Sequence, residues 1–314
     1  MLKNYLNIHP NIMKVIIVGM GVQGQKRKKV IGKEVVHCID KNKKFHFSKI
    51  SDVPVKDYDA AILCVPDKEK LKLVKYCVKN NKHCLVEKPF LINKKKYFLN
   101  LVKKTKEKKL IILTAYNHRF EPSIKLMKNI LKKNTIGKIL SCRLFYGNGT
   151  ADLVRKSPWR NKAKGGIVTD IGSHLFDICN FWFGNRFKKI RLIEKNSFFT
   201  KSPDHSIICF EINRIKVILE MTMSMWKNSF YCDIIGKKGS LHINSLGKWE
   251  KNTLILRKRK YPSGAPKEKK YKFPKEDKTW SEEYKYFKKL IKLKKYTNFK
   301  EDILYNKTFK ELIK

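Results

Sequence analysis

Short apolar runs alternate with predicted helices over the N-terminal part of the chain. The runs are typical of strands buried on both faces of a sheet, and they lie at 15–18, 35–39, 59–65, 83–86 and 110–114. Helices are predicted between them, at 22–31, 68–79 and 94–108. This alternation of strands and helices predicts a parallel, doubly wound α/β sheet.

The pattern changes beyond residue 120. A helix is predicted over 123–133, and strands separated by turn signals are predicted at 139–146, 190–194, 206–212, 216–225, 230–235 and 240–243. Such a succession indicates a large, mostly antiparallel open sheet. The glycine-rich stretch 147–160 is predicted to be a loop, and the basic, proline-bearing stretch 257–279 an irregular insertion. Two final helices are predicted at 282–293 and 301–313.

A glycine pattern follows the first predicted strand directly, as Gly19-Met20-Gly21-Val22-Gln23-Gly24. Only glycine allows the tight turn required there and lets a pyrophosphate approach the backbone. The helix that follows would present free N–H groups and a positive dipole end to the phosphates. The pattern therefore predicts a dinucleotide site with contacts from Gly19, Gly21, Val22, Gln23 and Gly24. The alternative is a glycine-rich turn that binds no ligand.

Asp40 ends the second predicted strand, about 20 residues beyond the first glycine, the spacing at which a carboxylate binds the adenosine ribose. A carboxylate would repel a 2′-phosphate, so Asp40 favours NAD over NADP. Lys41, Lys43 and Lys44 follow at once and could reverse that preference. The choice between NAD and NADP stays open at the level of sequence.

Two further segments carry residues suited to chemistry. Lys88 lies in Glu87-Lys88-Pro89 at the carboxyl end of a predicted strand, where ligands bind in open α/β sheets. Asp170, His174 and Asp177 are spaced to share one stripe of a helix. An imidazole can take a hydroxyl proton, an ammonium can steady an oxyanion, and a carboxylate can orient the alcohol. The alternatives are a surface lysine and a salt-bridged amphipathic helix.

Four segments, in this order, resemble the glucose-fructose oxidoreductase / inositol dehydrogenase / rhizopine catabolism (Gfo/Idh/MocA) family. They are the glycine loop, the Glu87-Lys88-Pro89 segment, the stretch Tyr116-Asn117-His118-Arg119-Phe120-Glu121-Pro122, and 165–177 with its Asp170-x-x-x-His174 spacing. The resemblance covers about residues 13–245. It implies a Rossmann dinucleotide-binding domain over 1–118 and a substrate-binding and oligomerisation domain over 119–314. Residues 1–12 precede the family pattern and are expected to be a prefix, and the C-terminal helices are expected to return to the first domain.

The resemblance also implies roles for individual residues. Lys88 would contact substrate and nicotinamide ribose, Asp170 would hold a substrate hydroxyl, and His174 would be the general acid/base. Further cofactor contacts are implied at Val65, Pro66 and Glu87. Further substrate contacts are expected from Asn117, Arg119, Trp159, Arg160 and Asp177. The chain departs from the family after the third strand, because Val65-Pro66-Asp67-Lys68-Glu69-Lys70 stands where many members have Thr-Pro-Asn-x-x-His.

The function implied is an NAD(P)-dependent oxidoreductase that transfers a hydride between the nicotinamide and a hydroxyl or keto carbon. The expected substrate is a sugar, a polyol or a nucleotide sugar, since 146–150 with Trp159 and Arg160 is similar to members associated with surface-polysaccharide sugar synthesis. Two alternatives stay open: an NAD-retaining glycoside hydrolase of the same family, and a catalytically silent dinucleotide-binding protein. The family sheet often forms an oligomer interface, so a homo-dimer or homo-tetramer is expected.

Composition changes this expectation little. The formal net charge of +45 would ordinarily suggest nucleic acid, but the lysines are scattered and far outnumber the arginines that specific readers use. The eight cysteines form no C-x-x-C pair, which favours reduced thiols in a cytoplasmic protein. Metal-ligand spacing is absent, and no apolar stretch approaches the roughly 20 residues that span a bilayer. We therefore expect no metal, no membrane contact and no nucleic-acid partner.

Overall fold

The computed structural model describes residues 12–42, 44–92, 95–295 and 301–313. The predicted prefix, except Ile12, and Lys43 lie outside the described residues. Tertiary contacts divide the chain into two units. The first comprises Met1–Glu87, Lys96–Leu113 and Phe287–Thr297, and the second comprises Lys88–Lys95, Thr114–Tyr286 and Asn298–Lys314.

The first unit is built on a five-stranded sheet of order β2-β1-β3-β4-β5. Its strands are β1 Val15–Val18, β2 Val35–Ile39, β3 Ala60–Leu63, β4 His83–Glu87 and β5 Ile112–Ala115, and its helices are α1 Val22–Ile31, α2 Asp67–Lys79 and α3 Lys95–Glu107. Strand β1 pairs in parallel with β2 and β3, and β3 pairs in parallel with β4. Strands β1, β3 and β5 are wholly buried, which explains their uninterrupted apolar runs.

The second unit is built on an eight-stranded sheet of order β13-β12-β11-β10-β6-β9-β8-β7. Its strands are β6 Ile139–Gly147, β7 Phe187–Asn196, β8 His205–Ile212, β9 Ile215–Thr222, β10 Ser229–Gly236, β11 Gly239–Asn244, β12 Asn252–Lys258 and β13 Lys267–Phe273. The helices are α4 Pro122–Lys132, α5 Ala151–Arg155, α6 Pro158–Asn161, α7 Gly166–Phe183, α8 Thr279–Leu293 and α9 Glu301–Ile313. Among the described pairings of this eight-stranded sheet, only β6–β9 is parallel. The predicted fold class is confirmed.

Two stretches predicted to be irregular contain regular structure. The predicted loop 147–160 holds the short helices α5 and α6, and the predicted insertion 257–279 holds the end of β12 and all of β13. Strand β13 is mostly exposed and lysine-rich, so its side chains give no apolar alternation. Its backbone pairing with β12 forms the strand, and lysines on such an edge discourage pairing with another chain.

The change of unit differs from the predicted boundary at 118/119. Residues 88–95 belong to the second unit because the side chain of Asn306 binds the backbone there, accepting from Ile92 N at 2.5 Å and donating to Phe90 O at 2.8 Å. Thr114 likewise donates to Asp302 at 2.5 Å. Only the end of α8 groups with the first unit. Helix α9 groups with the second unit.

Helix α7 is the central helix of the second unit. Its apolar residues Ile167, Ile171, Leu175 and Ile178 are buried against the sheet and against α9. Phe176 stacks on Phe210 of β8 with ring centroids 5.2 Å apart and meets Phe309 of α9 edge-on at 5.6 Å. This packing fixes the rotation of α7, and with it the direction of the polar stripe that carries Asp170 and His174. No helix in the described part of the chain is long and apolar enough to cross a membrane.

Candidate active site

The glycine loop of the first unit combines tight packing with one open position. Gly19 has a φ of +92°, and a Cβ atom there would lie 2.4 Å from Cys64 O. A Cβ on Gly24 would lie 2.0 Å from Gly19 O. A Cβ on Gly21 would meet nothing within 4 Å, and no described side chain caps the helix that begins after it. Free N–H groups facing open space at the start of α1 fit a bound pyrophosphate.

Asp40 is held beside this loop by the backbone. Its Oδ2 accepts a hydrogen bond from Met20 N at 2.7 Å, and its Oδ1 accepts one from Asn42 N at 3.0 Å. Each carboxylate oxygen can accept a further hydrogen bond, so the group is fixed and still suited to a ribose hydroxyl. Lys41 and Lys44 are exposed. The residues of the first unit therefore fit an adenine dinucleotide.

Three other predicted cofactor residues lie at or just beyond the ends of strands of this sheet. Val65 lies beside the glycine loop, since its Cγ1 would be 3.1 Å from a Cβ on Gly19. Glu87 instead accepts from Arg27 Nε at 2.8 Å. Arg27 is only 1% exposed, so this ion pair joins α1 to the end of β4 inside the protein. The Glu87 carboxylate is therefore used in holding the fold, and its contact with the cofactor stays a prediction. Pro66 is exposed before α2.

In the second unit, Asp170 lies between two cations. Lys88 Nζ donates to Asp170 Oδ1 at 2.6 Å and to the backbone oxygen of Asp170 at 2.7 Å. Arg160 Nη2 donates to Asp170 Oδ2 at 2.7 Å. Burial opposes ionisation of this carboxyl, but Lys88 and Arg160 outweigh burial and hold the pKa of Asp170 at about 2. Three residues predicted from distant segments thus form one charged cluster.

His174 lies one helical turn from Asp170 and contacts a second imidazole. Its Nδ1 is 2.8 Å from Nδ1 of His118, and Nε2 of His118 is 3.2 Å from Nζ of Lys248. Lys248 in turn donates to the hydroxyl of Tyr146 at 2.9 Å. Burial lowers the pKa of both imidazoles well below the usual value, and the neighbouring lysines Lys88 and Lys248 add to the effect. Both rings are therefore neutral at physiological pH.

Lys248 has an unusual environment for a lysine. Burial lowers its pKa to about 8, while Asp277 and Glu121 oppose that shift. Burial also raises the pKa of Glu121 to about 7. The ammonium of Lys248 lies 4.6 Å from the ring centroid of Trp249. A lysine that titrates this close to neutrality is suited to exchanging protons.

Three predicted substrate residues belong to a different network. Asp177 is 1% exposed and accepts from Arg119 Nε at 2.6 Å and from the hydroxyl of Tyr305 at 3.1 Å. Arg119 also contacts Glu301 at 2.7 Å, which links α7 to α9. Asn117 is buried and donates to Thr279 at 2.8 Å. These contacts give Arg119, Asp177 and Asn117 a role in holding the fold, and their substrate roles stay predictions.

The remaining predicted residue, Trp159, lies beside Arg160 on α6 and is 58% exposed. The residues that sequence reasoning missed are His118, Lys248 and Tyr146. His118 lies in the family-like stretch 116–122, but the sequence did not indicate whether its side chain faces the site. Lys248 gave none, because it is one lysine among many in a basic chain. No group of three or more His, Cys, Asp or Glu side chains suited to a metal ion occurs among the residues described.

Comparison with known proteins tests the expected family. Residues 124–242 match the family described as the GFO/IDH/MocA C-terminal domain. The expected resemblance to the Gfo/Idh/MocA family is confirmed over this part of the chain. Among its relatives is the myo-inositol 2-dehydrogenase of Thermotoga maritima, 28% identical over 135 residues, which are 42% of this chain and 38% of the relative. The chain spans about a third of the length of the curated relatives it matches.

Two solved structures share the fold of this chain almost throughout. A levoglucosan dehydrogenase in complex with NADH aligns with a TM-score of 0.79 at 17% identity, over 95% of this chain and 96% of the other. A UDP-N-acetylglucosamine 3-dehydrogenase from Acidithiobacillus ferrooxidans aligns with a TM-score of 0.77 at 15% identity, over 95% and 96%. At this identity the likeness establishes the fold alone.

Proposed function

We propose that this protein is an NAD(P)-dependent oxidoreductase that interconverts a hydroxyl and a keto carbon of a carbohydrate. The observation that carries the proposal is the 2.6 Å contact of Lys88 with Asp170, one helical turn from the neutral imidazole of His174. This set offers an ammonium for a developing oxyanion and a group that can exchange the hydroxyl proton.

The dinucleotide would bind at the glycine loop, with its pyrophosphate at Gly21 and its adenosine ribose on Asp40. When bound, the nicotinamide supplies the hydride acceptor or donor. The fixed carboxylate of Asp40 favours NAD, because it leaves no place for a 2′-phosphate. Lys41 and Lys44 lie exposed beside it, so NADP is the competing cofactor to test.

Each residue of the second unit would have one task in the reaction. His174 would take the proton from the substrate hydroxyl in oxidation and return it in reduction. Lys88 would stabilise negative charge on the same oxygen. Asp170 would hold Lys88 and Arg160 in position and accept a hydrogen bond from a neighbouring hydroxyl. A substrate with several adjacent hydroxyls suits such a cluster.

The proposed substrate class is supported by this cluster and by similar proteins, whose names give myo-inositol, levoglucosan and UDP-N-acetylglucosamine as substrates. Arg160 and the exposed ring of Trp159 would bind a sugar or its phosphate. A role in surface-polysaccharide sugar synthesis, a cytoplasmic location and homo-oligomers formed through the eight-stranded sheet are part of the proposal. The polysaccharide role and the homo-oligomer rest on the family resemblance, and the cytoplasmic location rests on the cysteine pattern.

The first experiment is thermal shift with NAD⁺, NADH, NADP⁺ and NADPH at physiological salt. Saturable stabilisation by one pair is expected, followed by NADH or NADPH formation with a sugar, a polyol or a nucleotide sugar. The control variant is Asp40→Ala, which should lose the stabilisation while keeping the fold. No response to any of the four dinucleotides would overturn the proposal. A cofactor that stays bound through turnover without net release of reduced dinucleotide would point instead to the hydrolase alternative.

A further inference from the structure

We propose that His174, His118 and Lys248 form a proton relay, which carries the proton of the substrate hydroxyl to the buried amine of Lys248. The inference rests on the proposed function, since it supplies the route by which the hydroxyl proton leaves the reacting centre. It adds two residues, His118 and Lys248, to the machinery of the reaction.

The contacts form an unbranched chain of ring nitrogens. His174 uses Nδ1 for His118 and keeps Nε2 for the substrate, while His118 uses Nδ1 for His174 and Nε2 for Lys248. The distances are 2.8 Å between the two Nδ1 atoms and 3.2 Å to the lysine. A neutral imidazole has one N–H and one bare nitrogen. The nitrogen that carries hydrogen on one ring therefore determines which nitrogen carries hydrogen on the other ring.

When Lys248 is an ammonium, it donates to Nε2 of His118. His118 then carries its hydrogen on Nδ1 and donates to Nδ1 of His174, so His174 carries its hydrogen on Nε2. In this arrangement His174 is a donor toward the substrate, which suits reduction of a carbonyl.

When Lys248 is a neutral amine, both hydrogen bonds of the chain reverse. His118 donates from Nε2 to the amine, His174 donates from Nδ1 to His118, and Nε2 of His174 is bare. In this arrangement His174 is an acceptor toward the substrate, which suits oxidation of an alcohol.

The relay balances as three proton transfers that accompany hydride loss. The hydroxyl proton goes to Nε2 of His174, the proton on Nδ1 of His174 goes to Nδ1 of His118, and the proton on Nε2 of His118 goes to Lys248. The O–H bond breaks, the amine becomes an ammonium, and both imidazoles end neutral. The carbon is oxidised by the loss of its hydrogen with an electron pair to the nicotinamide dinucleotide of the proposed function.

The order of basicity gives the relay a physical reason. Burial makes both imidazoles poor proton acceptors, so His174 alone would hold the hydroxyl proton only weakly. The amine at the end of the chain keeps a proton more readily, with a pKa of about 8. Passing the proton on therefore stabilises the product of the transfer and separates it from the ammonium of Lys88.

The groups around Lys248 come from several elements, and each acts on its charge. Glu121 before α4 and Asp277 before α8 favour the ammonium. His118 and the hydroxyl of Tyr146 on β6 contact Nζ directly. The ring of Trp249 lies beside it. His174 also faces Lys88 and the edge of Tyr116 at 6.4 Å, so those two groups share its environment.

The first test needs no substrate. Nitrogen-15 NMR of the histidine side chains in the free protein reports which ring nitrogen of His118 and His174 carries hydrogen. We expect both tautomers to switch together between about pH 7 and about pH 9, following Lys248. The change of tautomers should be absent in Lys248→Met and present in the control Lys251→Met, which alters an exposed lysine three residues further along the chain. Tautomers that stay unchanged in the wild-type protein across this range would overturn the relay.

The second test uses turnover in the oxidative direction. Lys248→Met is expected to lower kcat by about 10²-fold, the lower end of the range for acid–base catalysis, with KM little changed. Lys248→Arg keeps a permanent donor on His118 and should also slow oxidation. Wild-type kcat and pH profile in both variants would overturn the proposal. Absence of dinucleotide binding and turnover in the wild-type protein would instead count against the proposed function.

Discussion

The contact between His118 and His174 through their Nδ1 atoms makes protonation of either ring costly. A proton on either ring would place a buried positive charge near the ammonium groups of Lys88 and Lys248. His118 is 3% exposed, so water gives little compensation. The tertiary environment of His174, rather than its neighbours along the chain, therefore keeps this imidazole neutral.

The buried imidazole of His118 predicts a loss of stability in mild acid. Burial keeps its pKa well below the value of about 6.5 in an unfolded chain. Below that pH the unfolded chain binds a proton that the folded chain does not. The free energy of unfolding should therefore fall with pH, by up to about 1.4 kcal/mol per pH unit for this proton. Above about pH 6.5 the contribution is constant.

Urea unfolding of the wild-type protein and of His118→Asn from about pH 7 to about pH 5 measures how the free energy of unfolding depends on pH in each. The variant should show the shallower dependence, because it lacks one titrating group. The buried carboxyls titrate in both proteins and cancel in the comparison. Equal slopes would contradict the assignment of a depressed pKa to His118.

At the scale of elements, the glycine loop contains two glycines that the fold requires, Gly19 and Gly24, and one, Gly21, that faces open space. Gly19→Ala should destabilise the protein, because of its positive φ and the 2.4 Å approach of a Cβ to Cys64 O. Gly21→Leu should leave stability nearly unchanged but abolish dinucleotide binding, since its side chain would occupy the open space before α1. Thermal unfolding with and without NAD⁺ distinguishes the two effects. Equal dinucleotide stabilisation of Gly21→Leu and wild type would place the pyrophosphate elsewhere.

Arg119 forms a buried ion pair with Asp177 of α7 and also contacts Glu301 of α9. Arg119→Met would leave Asp177, 1% exposed, without its cation, and should cost about 3–5 kcal/mol of unfolding free energy. Arg155→Met removes an exposed pair with Asp152 and should change stability by less than about 1 kcal/mol. Chemical denaturation of both variants gives the comparison. If Arg119→Met had the stability of the wild-type protein and a raised KM, Arg119 would instead be a substrate-binding residue.

At the scale of the whole molecule, the positive charge is the dominant feature. There are 72 Lys and Arg against 27 Asp and Glu, so the folded chain carries strong self-repulsion at low ionic strength. Raising salt from about 0.01 M to about 0.15 M shortens the screening length from about 30 Å to about 8 Å. The melting temperature should rise over this interval by several degrees. Chloride and acetate should act alike, whereas an effect confined to one anion would indicate a specific binding site.

The sequence predicted most of the fold correctly because its strands and helices are marked by local patterns. The buried strands β1, β3 and β4 show as apolar runs, and the spacing of Asp170 and His174 places both on one stripe of α7. Strand β13 escaped prediction because backbone pairing, rather than side-chain burial, forms it. Helices α5 and α6 were missed because they span only five and four residues.

What the sequence determined by itself is therefore whatever depends on neighbours along the chain: the order of elements, the glycine loop, and the position of Lys88 at the end of a strand. Only the tertiary structure decided the long-range pairs. It placed Arg27 on Glu87, Arg119 on Asp177, and Lys248 on His118. The physical reason is that the residues next to a charged side chain in the sequence do not indicate which distant residue it will pair with. In a chain so rich in lysine, packing alone determines which one is buried beside an imidazole.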